Sequence, residues 1–143
     1  MQINFDLDGT LANLYGVENW LEMLSNSNPM PYKIAKPLLN MQTLARRLNR
    51  LAKMGYEINV ISWLSKNSTA EYDEMVKSAK LEWLNKHLRS VRFTAIHIVK
   101  YGTPKETIGK GILFDDEEQN RKNWKGQAFD EKHILEILKG LEK

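Results

Sequence analysis

The chain has 143 residues, of which 42% are hydrophobic and 27% charged, a composition typical of one globular domain with one core. Its net charge of +3 is compatible with an anionic substrate but does not require nucleic acid. Cysteine is absent, which excludes disulfides and thiol chemistry, and no apolar run is long enough to span a bilayer, so we expect no membrane partner. The chain opens without the basic start and apolar core of a signal peptide, so we expect a cytoplasmic protein.

The first quarter of the chain is predicted to contain a strand and an insertion. Residues 1–7 place apolar side chains at alternate positions, as a half-buried strand does. Residues 11–36 form a small cap-like insertion after this strand, with an amphipathic helix over residues 16–24. A loop is expected over residues 25–31, where Ser, Asn and Pro are concentrated. We treat residues 1–143 as a single domain that contains this insertion.

Two helices and a strand are predicted in the middle of the chain. Pro37 suits the first position of a helix that ends at Gly55, and residues 56–62 form the second strand. Ser68 and Glu71 have the spacing of a capping box, which predicts that a long helix begins there. The side chains expected on the buried face of this helix are Tyr72, Met75, Val76, Ala79 and Trp83.

The remaining elements continue the alternation. Strands are predicted over residues 91–99, 111–114 and 127–129. Thr103 and Pro104 have the character of a helix cap and a first-turn proline, so Lys105 is expected in the first turn of a short helix. Asp130 is predicted to cap a last helix with an apolar stripe.

Strands that alternate with helices predict an α/β fold. The pattern favours a three-layer, Rossmann-like parallel sheet with right-handed crossovers and helices on both faces. In such sheets, ligands bind beyond the carboxyl ends of the strands. Asp6, Ser62, Lys105 and Asp115 all fall at such ends, so we expect them to meet in one site.

The most informative chemistry follows the first strand, where the chain reads Asp-Leu-Asp-Gly-Thr over residues 6–10. Carboxylates crowded at a strand end repel each other unless they share a cation, and Gly9 lets the backbone approach a ligand. One Asp can act as a nucleophile and the other as acid and base, which suits phosphoryl transfer with a hard metal ion. This segment resembles the first motif of the haloacid dehalogenase (HAD) superfamily of phosphohydrolases.

Further segments resemble the other motifs of that superfamily, in the order that it requires. Val60 to Ser62 is similar to motif two, an apolar strand that ends in Ser or Thr, and Ile112 to Asp116 is similar to motif four, an apolar strand that ends in paired acids. The lysine of motif three is either Lys105 or Lys100. We favour Lys105, because it precedes Asp115 by ten positions, as expected in nucleotidase-like members, and because an expected helix N-terminus beside it attracts phosphate.

The resemblance implies a role for each matching residue. Asp6 would be the nucleophile that forms an aspartyl-phosphate, and Asp8 the acid that protonates the leaving oxygen and then activates water, which favours a phosphatase or mutase. Mg²⁺ would be bound by Asp6, Asp115 and the main-chain carbonyl of Asp8, with Asp116 supporting the acidic loop. The expected phosphate ligands, through side chains or main-chain amides, are Ser62, Lys105, Gly9, Thr10 and Trp63.

The substrate is less constrained than the chemistry. Since the insertion over residues 11–36 is small, we expect a fairly open site without a large cap. The segment from Lys80 to Leu88 resembles the helix after motif two in the deoxyribonucleotidase-like branch of the superfamily, which favours nucleotide monoesters. Residues of the insertion expected to contact a base or sugar are Tyr15, Trp20, Tyr32 and Lys33.

Three functions stay open at this point. The first is a Mg²⁺-dependent phosphatase on small phosphate monoesters, with nucleotides among the expected substrates. The second is a phosphatase on a nucleic-acid end or another large substrate, which the basic charge and missing large cap allow. The third is a catalytically silent binding protein on a HAD scaffold, and the intact set of Asp6, Asp8, Ser62 and Asp115 argues against it.

Overall fold

A five-stranded parallel sheet organises the chain in the computed structural model, which describes residues 1–143. The strands in chain order are β1 (Gln2–Phe5), β2 (Ala12–Asn13), β3 (Lys36–Pro37), β4 (Glu57–Trp63), β5 (Ala95–Val99), β6 (Ile112–Phe114) and β7 (Gln127–Phe129). The main sheet has the order β5-β4-β1-β6-β7, and every neighbouring pair in it is parallel. β2 and β3 form a separate antiparallel pair. The predicted parallel α/β architecture is confirmed.

Helices flank the sheet. They are α1 (Trp20–Ser25), α2 (Met30–Ile34), α3 (Met41–Lys53), α4 (Ala70–His87), α5 (Glu118–Asn123) and α6 (Ile134–Leu141). None of these helices combines the length and the apolar composition needed to cross a membrane.

The main core lies on one face of the sheet. Ile3 and Phe5 of β1 are fully buried there, because alternate residues of a strand point to the same face. They pack with apolar residues of the neighbouring strands and of α3, α4 and α6. The other face carries a smaller cluster of Ile61, Leu113 and Trp124. Asn4 also belongs to this second face, where its amide donates to the Lys110 carbonyl at 2.7 Å.

The predicted helix start at Pro37 is wrong. Pro37 lies in β3, where it is paired with Ala12, and the amide of Leu38 donates to the Leu11 carbonyl at 2.9 Å. This pairing fixes the end of the insertion against its beginning, so the chain stays extended past Pro37. α3 begins only after Asn40, whose side chain accepts a hydrogen bond from the Thr43 amide at 3.0 Å.

The start of α4 differs from the prediction by one residue. Thr69 is the N-cap, and its hydroxyl accepts a hydrogen bond from the Tyr72 amide at 3.1 Å. The Ser68 hydroxyl contacts the Asp73 carboxylate instead of capping the helix. Met75, expected to be buried, is 48% exposed, and Lys80 and Leu84 are buried on α4 in addition to the other predicted residues.

Other predicted boundaries shift by a few residues. The insertion holds two short helices, and α2 begins inside the predicted loop. The third strand of the sheet begins at Ala95, later than predicted. The short helix expected at Thr103 is a single 3₁₀ turn over Lys105–Thr107, and the Thr103 hydroxyl donates to the Lys100 carbonyl rather than capping it. Asp130 caps the 3₁₀ turn Glu131–His133, which leads into α6, and its carboxylate accepts from the Lys132 amide at 2.9 Å. The prediction that it caps the last helix itself is wrong, because the N-cap of α6 is His133.

Candidate active site

The carboxyl ends of the central strands bring Asp6, Lys105 and Asp115 into contact and place Ser62 at the same edge of the sheet. Asp6 directly follows β1, Asp115 directly follows β6, and Ser62 lies near the end of β4. Lys105 reaches the same place from the 3₁₀ turn. Asp6 is the most exposed of the four at 7%, so the group is buried within the protein.

Lys105 joins two of the carboxylates. Its Nζ lies 3.0 Å from Oδ1 of Asp6 and 2.8 Å from Oδ2 of Asp115. Burial alone would raise the pKa of Asp6, but the charge of Lys105 and several hydrogen bonds hold it below its ordinary value, so Asp6 is ionised. Burial opposes the charge on Lys105 as well, yet the two carboxylates raise its pKa. Lys100, the alternative, is exposed and forms no ion pair.

Trp63 explains how Lys105 reaches the site. Its indole N–H donates to the Thr103 carbonyl at 2.8 Å, which fastens the loop before Lys105 to the end of β4. The Nζ of Lys105 lies 5.4 Å from the centre of the Trp63 ring, and Tyr101 packs edge-on against the same ring. The expected helix N-terminus beside Lys105 is wrong, because a three-residue turn does not align enough peptide dipoles.

Asp116 completes a group of three carboxylates. Asp6, Asp115 and Asp116 each offer an oxygen, and these oxygens lie within 4.8 Å of one another. Burial, followed by the neighbouring Asp6 charge, raises the pKa of Asp115 to about 6 despite Lys105. Burial, a hydrogen bond with Asp6 and the nearby acidic charges raise the pKa of Asp116 to about 8. The group therefore holds more negative charge than Lys105 neutralises.

This donor set fits Mg²⁺. The three carboxylates supply only oxygen ligands, which Mg²⁺ prefers, and their mutual repulsion would be relieved by a divalent cation. The main-chain carbonyl of Asp8 receives no hydrogen bond from the chain, so it is also free to bind a metal. The Asp8 carboxylate is not part of the group of three carboxylates, because its Oδ2 lies 2.9 Å from Nζ of Lys80.

Side chains of α5, which sequence reasoning missed, hold Asp115 in place. The Asn120 amide donates to Oδ2 of Asp115 at 3.1 Å, and Arg121 donates to the Asp115 carbonyl at 2.9 Å. The Glu117 amide donates to Oδ1 at 2.9 Å. Both oxygens of Asp115 are therefore fixed before any ligand arrives. Asn120 is 8% exposed, but in the sequence it is one of seven consecutive polar residues over 117–123, so nothing there singled it out.

Lys80 is a further residue that sequence reasoning missed. It lies on the buried face of α4 and is 0% exposed. Its Nζ lies 2.9 Å from Oδ2 of Asp8, and it donates to Oγ of Ser62 at 2.7 Å. Burial raises the pKa of Asp8, and the charge of Lys80 opposes that rise. The available signal was a lysine four residues after Val76 on an apolar helix face, since a lysine is rarely fully buried without a partner.

Gly9 and Thr10 shape the loop after β1. Gly9 has φ +82°, and a side chain there would collide with Asp116 and with the Tyr15 ring. The Thr10 hydroxyl lies 2.9 Å from Oδ2 of Asp6 and accepts a hydrogen bond from the Asp116 amide at 3.1 Å. Thr10 thus positions the nucleophile candidate. Direct contact of Gly9, Thr10 and the Trp63 amide with phosphate stays a prediction.

A pocket of about 390 Å³ opens above Asp6 and Asp8. The insertion supplies one wall, in which Tyr15 packs edge-on against Trp20 at 4.9 Å between ring centres. The lining also contains the paired rings of Trp63 and Tyr101. The insertion and the segments that follow β4 and β5 therefore line one pocket around Asp6 and Asp8.

The four insertion residues expected near the substrate divide into two groups. Tyr15, Trp20 and Tyr32 line the pocket. Lys33 does not, because it lies on the surface beside Glu82, with 3.9 Å between Nζ and Oε2. The insertion therefore contributes aromatic side chains, three leucines and Ser25 to the lining, and no charged side chain.

No family model matches the chain, and no curated protein matches it either. The assignment of a function therefore rests on the motifs and on the geometry of the site.

Proposed function

We propose that the chain is a Mg²⁺-dependent phosphatase of the HAD type, which hydrolyses phosphate monoesters through a phosphorylated Asp6. The observation that carries this proposal is the setting of Asp6 at the floor of the pocket. Its two oxygens are held by Lys105 at 3.0 Å and by Thr10 at 2.9 Å, and Asp115 and Asp116 lie beside it. An ionised, oriented carboxylate next to a cation site is what attack on an anionic phosphate requires.

Each residue then has a defined task in the proposed reaction. Asp6 attacks phosphorus while Asp8 gives a proton to the leaving ester oxygen, and Asp8 then takes a proton from the water that hydrolyses the acyl phosphate. Lys105 and the Ser62 hydroxyl offset charge on the phosphoryl oxygens. Mg²⁺, held by Asp6, Asp115 and the Asp8 carbonyl, would neutralise the repulsion between nucleophile and substrate.

The pocket favours a small substrate with a flat organic group. Its volume of about 390 Å³ lies at the lower end of the roughly 300–1,000 Å³ usual for small-molecule sites. Two aromatic pairs in the lining offer surfaces against which a planar ring can stack. Nucleoside monophosphates have both features, and they are preferred in this proposal over nucleic-acid ends. A catalytically inactive binding protein would need neither the oriented Asp6 nucleophile nor the Asp8 acid.

The test is a phosphatase assay on purified protein with Mg²⁺ and with a chelator. The panel contains 4-nitrophenyl phosphate, nucleoside monophosphates, sugar phosphates and end-phosphorylated oligonucleotides, and Asp6→Asn serves as the matched inactive control. We expect Mg²⁺-dependent turnover, highest with the nucleotides. Folded protein without turnover on any ester would refute the proposal, and a salt-sensitive preference for oligonucleotides would favour the large-substrate alternative.

A further inference from the structure

We infer that Lys80 is a positioning residue that fixes Asp8 and Ser62 as one unit, an inference that rests on the phosphatase function proposed above. The ammonium group of Lys80 has three N–H donors. The structure gives them three acceptors: Oδ2 of Asp8 at 2.9 Å, Oγ of Ser62 at 2.7 Å and the Trp63 carbonyl at 2.6 Å. Through Lys80, α4 thus holds two residues from different parts of the chain, Asp8 after β1 and Ser62 in β4.

The surroundings of Lys80 argue against a merely structural role. It shares the buried face of α4 with Val76, Ala79 and Trp83, where an apolar residue would pack without the cost of removing a charge from water. The ring of Tyr32, from the insertion, lies 5.0 Å from Nζ and covers it. Because Lys80 is 0% exposed, a cation from the solvent cannot reach Asp8 and Ser62 to take over its contacts.

The hydrogen-bond directions define what Lys80 does for the reaction. With Oδ2 of Asp8 held by Lys80, Oδ1 is the oxygen left to carry the transferable proton. That proton passes to the ester oxygen as the bond from phosphorus to this oxygen breaks and the bond from Asp6 to phosphorus forms. Because the Ser62 oxygen accepts from Lys80, its own hydrogen is left to donate to a phosphoryl oxygen.

The experiment measures kcat/KM for a series of esters with different leaving groups. An alkyl phosphate needs protonation of its leaving oxygen, whereas 2,4-dinitrophenyl phosphate does not. We expect Lys80→Met to lose about 10²–10⁴-fold with the alkyl ester, the range for general acid catalysis, and far less with the dinitrophenyl ester. Asp8→Asn should show the same dependence, and the double variant should lose less than the product of the two single losses, because only the effect of Lys80 on Ser62 remains once Asp8 is replaced. Lys80→Arg, which keeps the charge and the donors, should recover part of the loss.

Several outcomes would overturn the inference. An equal loss for every ester, or additive losses in the double variant, would make Lys80 a structural residue only. Should Lys80→Met not fold, as judged by circular dichroism, Lys80→Gln keeps two N–H donors and is held to the same leaving-group dependence. A wild-type protein inactive on all esters would refute the proposed function and this inference with it, whereas an active one with uniform losses would refute the inference alone.

Discussion

Replacing Lys105 by Met tests whether this buried lysine contributes to catalysis, and Lys100→Met is the matched control for the loss of a positive charge at the surface. Both variants lose one lysine, but only Lys105 is buried, with carboxylate oxygens at 2.8 and 3.0 Å. Groups that stabilise transition-state charge are worth about 10²–10³-fold, or roughly 3–4 kcal/mol. We therefore expect Lys105→Met to lose that much in kcat/KM with 4-nitrophenyl phosphate, and Lys100→Met to change it little.

The same substitution has a consequence for stability. Removing one partner of a buried ion pair typically costs about 3–5 kcal/mol, and protonation of Asp115, whose pKa is already about 6, should reduce that cost at lower pH. Urea unfolding in EDTA should therefore show a larger loss for Lys105→Met at about pH 8 than at about pH 5. Mg²⁺ should restore part of the lost stability, because it binds the folded state and supplies positive charge.

Two results would refute this reasoning. Equal kcat/KM losses for the Lys105 and Lys100 variants would mean that Lys105 does not contact the transferring phosphate. An unfolding free energy of Lys105→Met equal to that of the wild type in EDTA would mean that the two carboxylates do not depend on this cation.

Three further predictions concern the carboxylates. Asp6→Asn should abolish turnover while circular dichroism shows that the variant remains folded, because an amide cannot attack phosphorus; near-normal rates would remove the covalent mechanism. Mg²⁺ should raise the melting temperature of the wild type but not of Asp115→Asn, and equal shifts would place the metal elsewhere. The folded state keeps Asp116 protonated up to about pH 8, whereas the unfolded state ionises near pH 3.8, so this residue makes the metal-free protein lose stability as the pH rises between those values. Asp116→Asn should flatten that loss in EDTA, and an unchanged slope would show that Asp116 is not the group that titrates.

The positions of the site residues could be predicted because two independent regularities coincide. Asp6 and Asp115 follow apolar strands, and parallel strands deliver their carboxyl ends to one edge of the sheet. Local sequence alone therefore defines where these carboxylates meet. Lys105 was also predicted to be in the site, but the predicted reason was wrong. The hydrogen bond from Trp63 to Thr103, and not a helix N-terminus, brings Lys105 there.

Features that depend on long-range contacts could not be predicted. Pro37 has the local character of a helix start, but its pairing with Ala12 decides its conformation. Lys80 lies on a helix face that hydropathy assigns to the core. Its partners are Asp8, from the loop after β1, and Ser62, from β4. A charge on a buried face indicates that some partner exists, but only the fold identifies which one.

The covalent step on Asp6 is the central claim, and trapping it tests the claim directly. Asp8→Asn protein would be mixed with 2,4-dinitrophenyl phosphate and Mg²⁺, because this ester needs no acid to leave while the variant lacks the base that hydrolyses the intermediate. The quenched protein would be reduced with borohydride, digested and analysed by mass spectrometry. We predict that Asp6 alone carries a phosphoryl group before reduction and becomes homoserine after it. Release of dinitrophenol without any phosphorylated protein, or a phosphoryl group on Ser62 instead, would contradict the account.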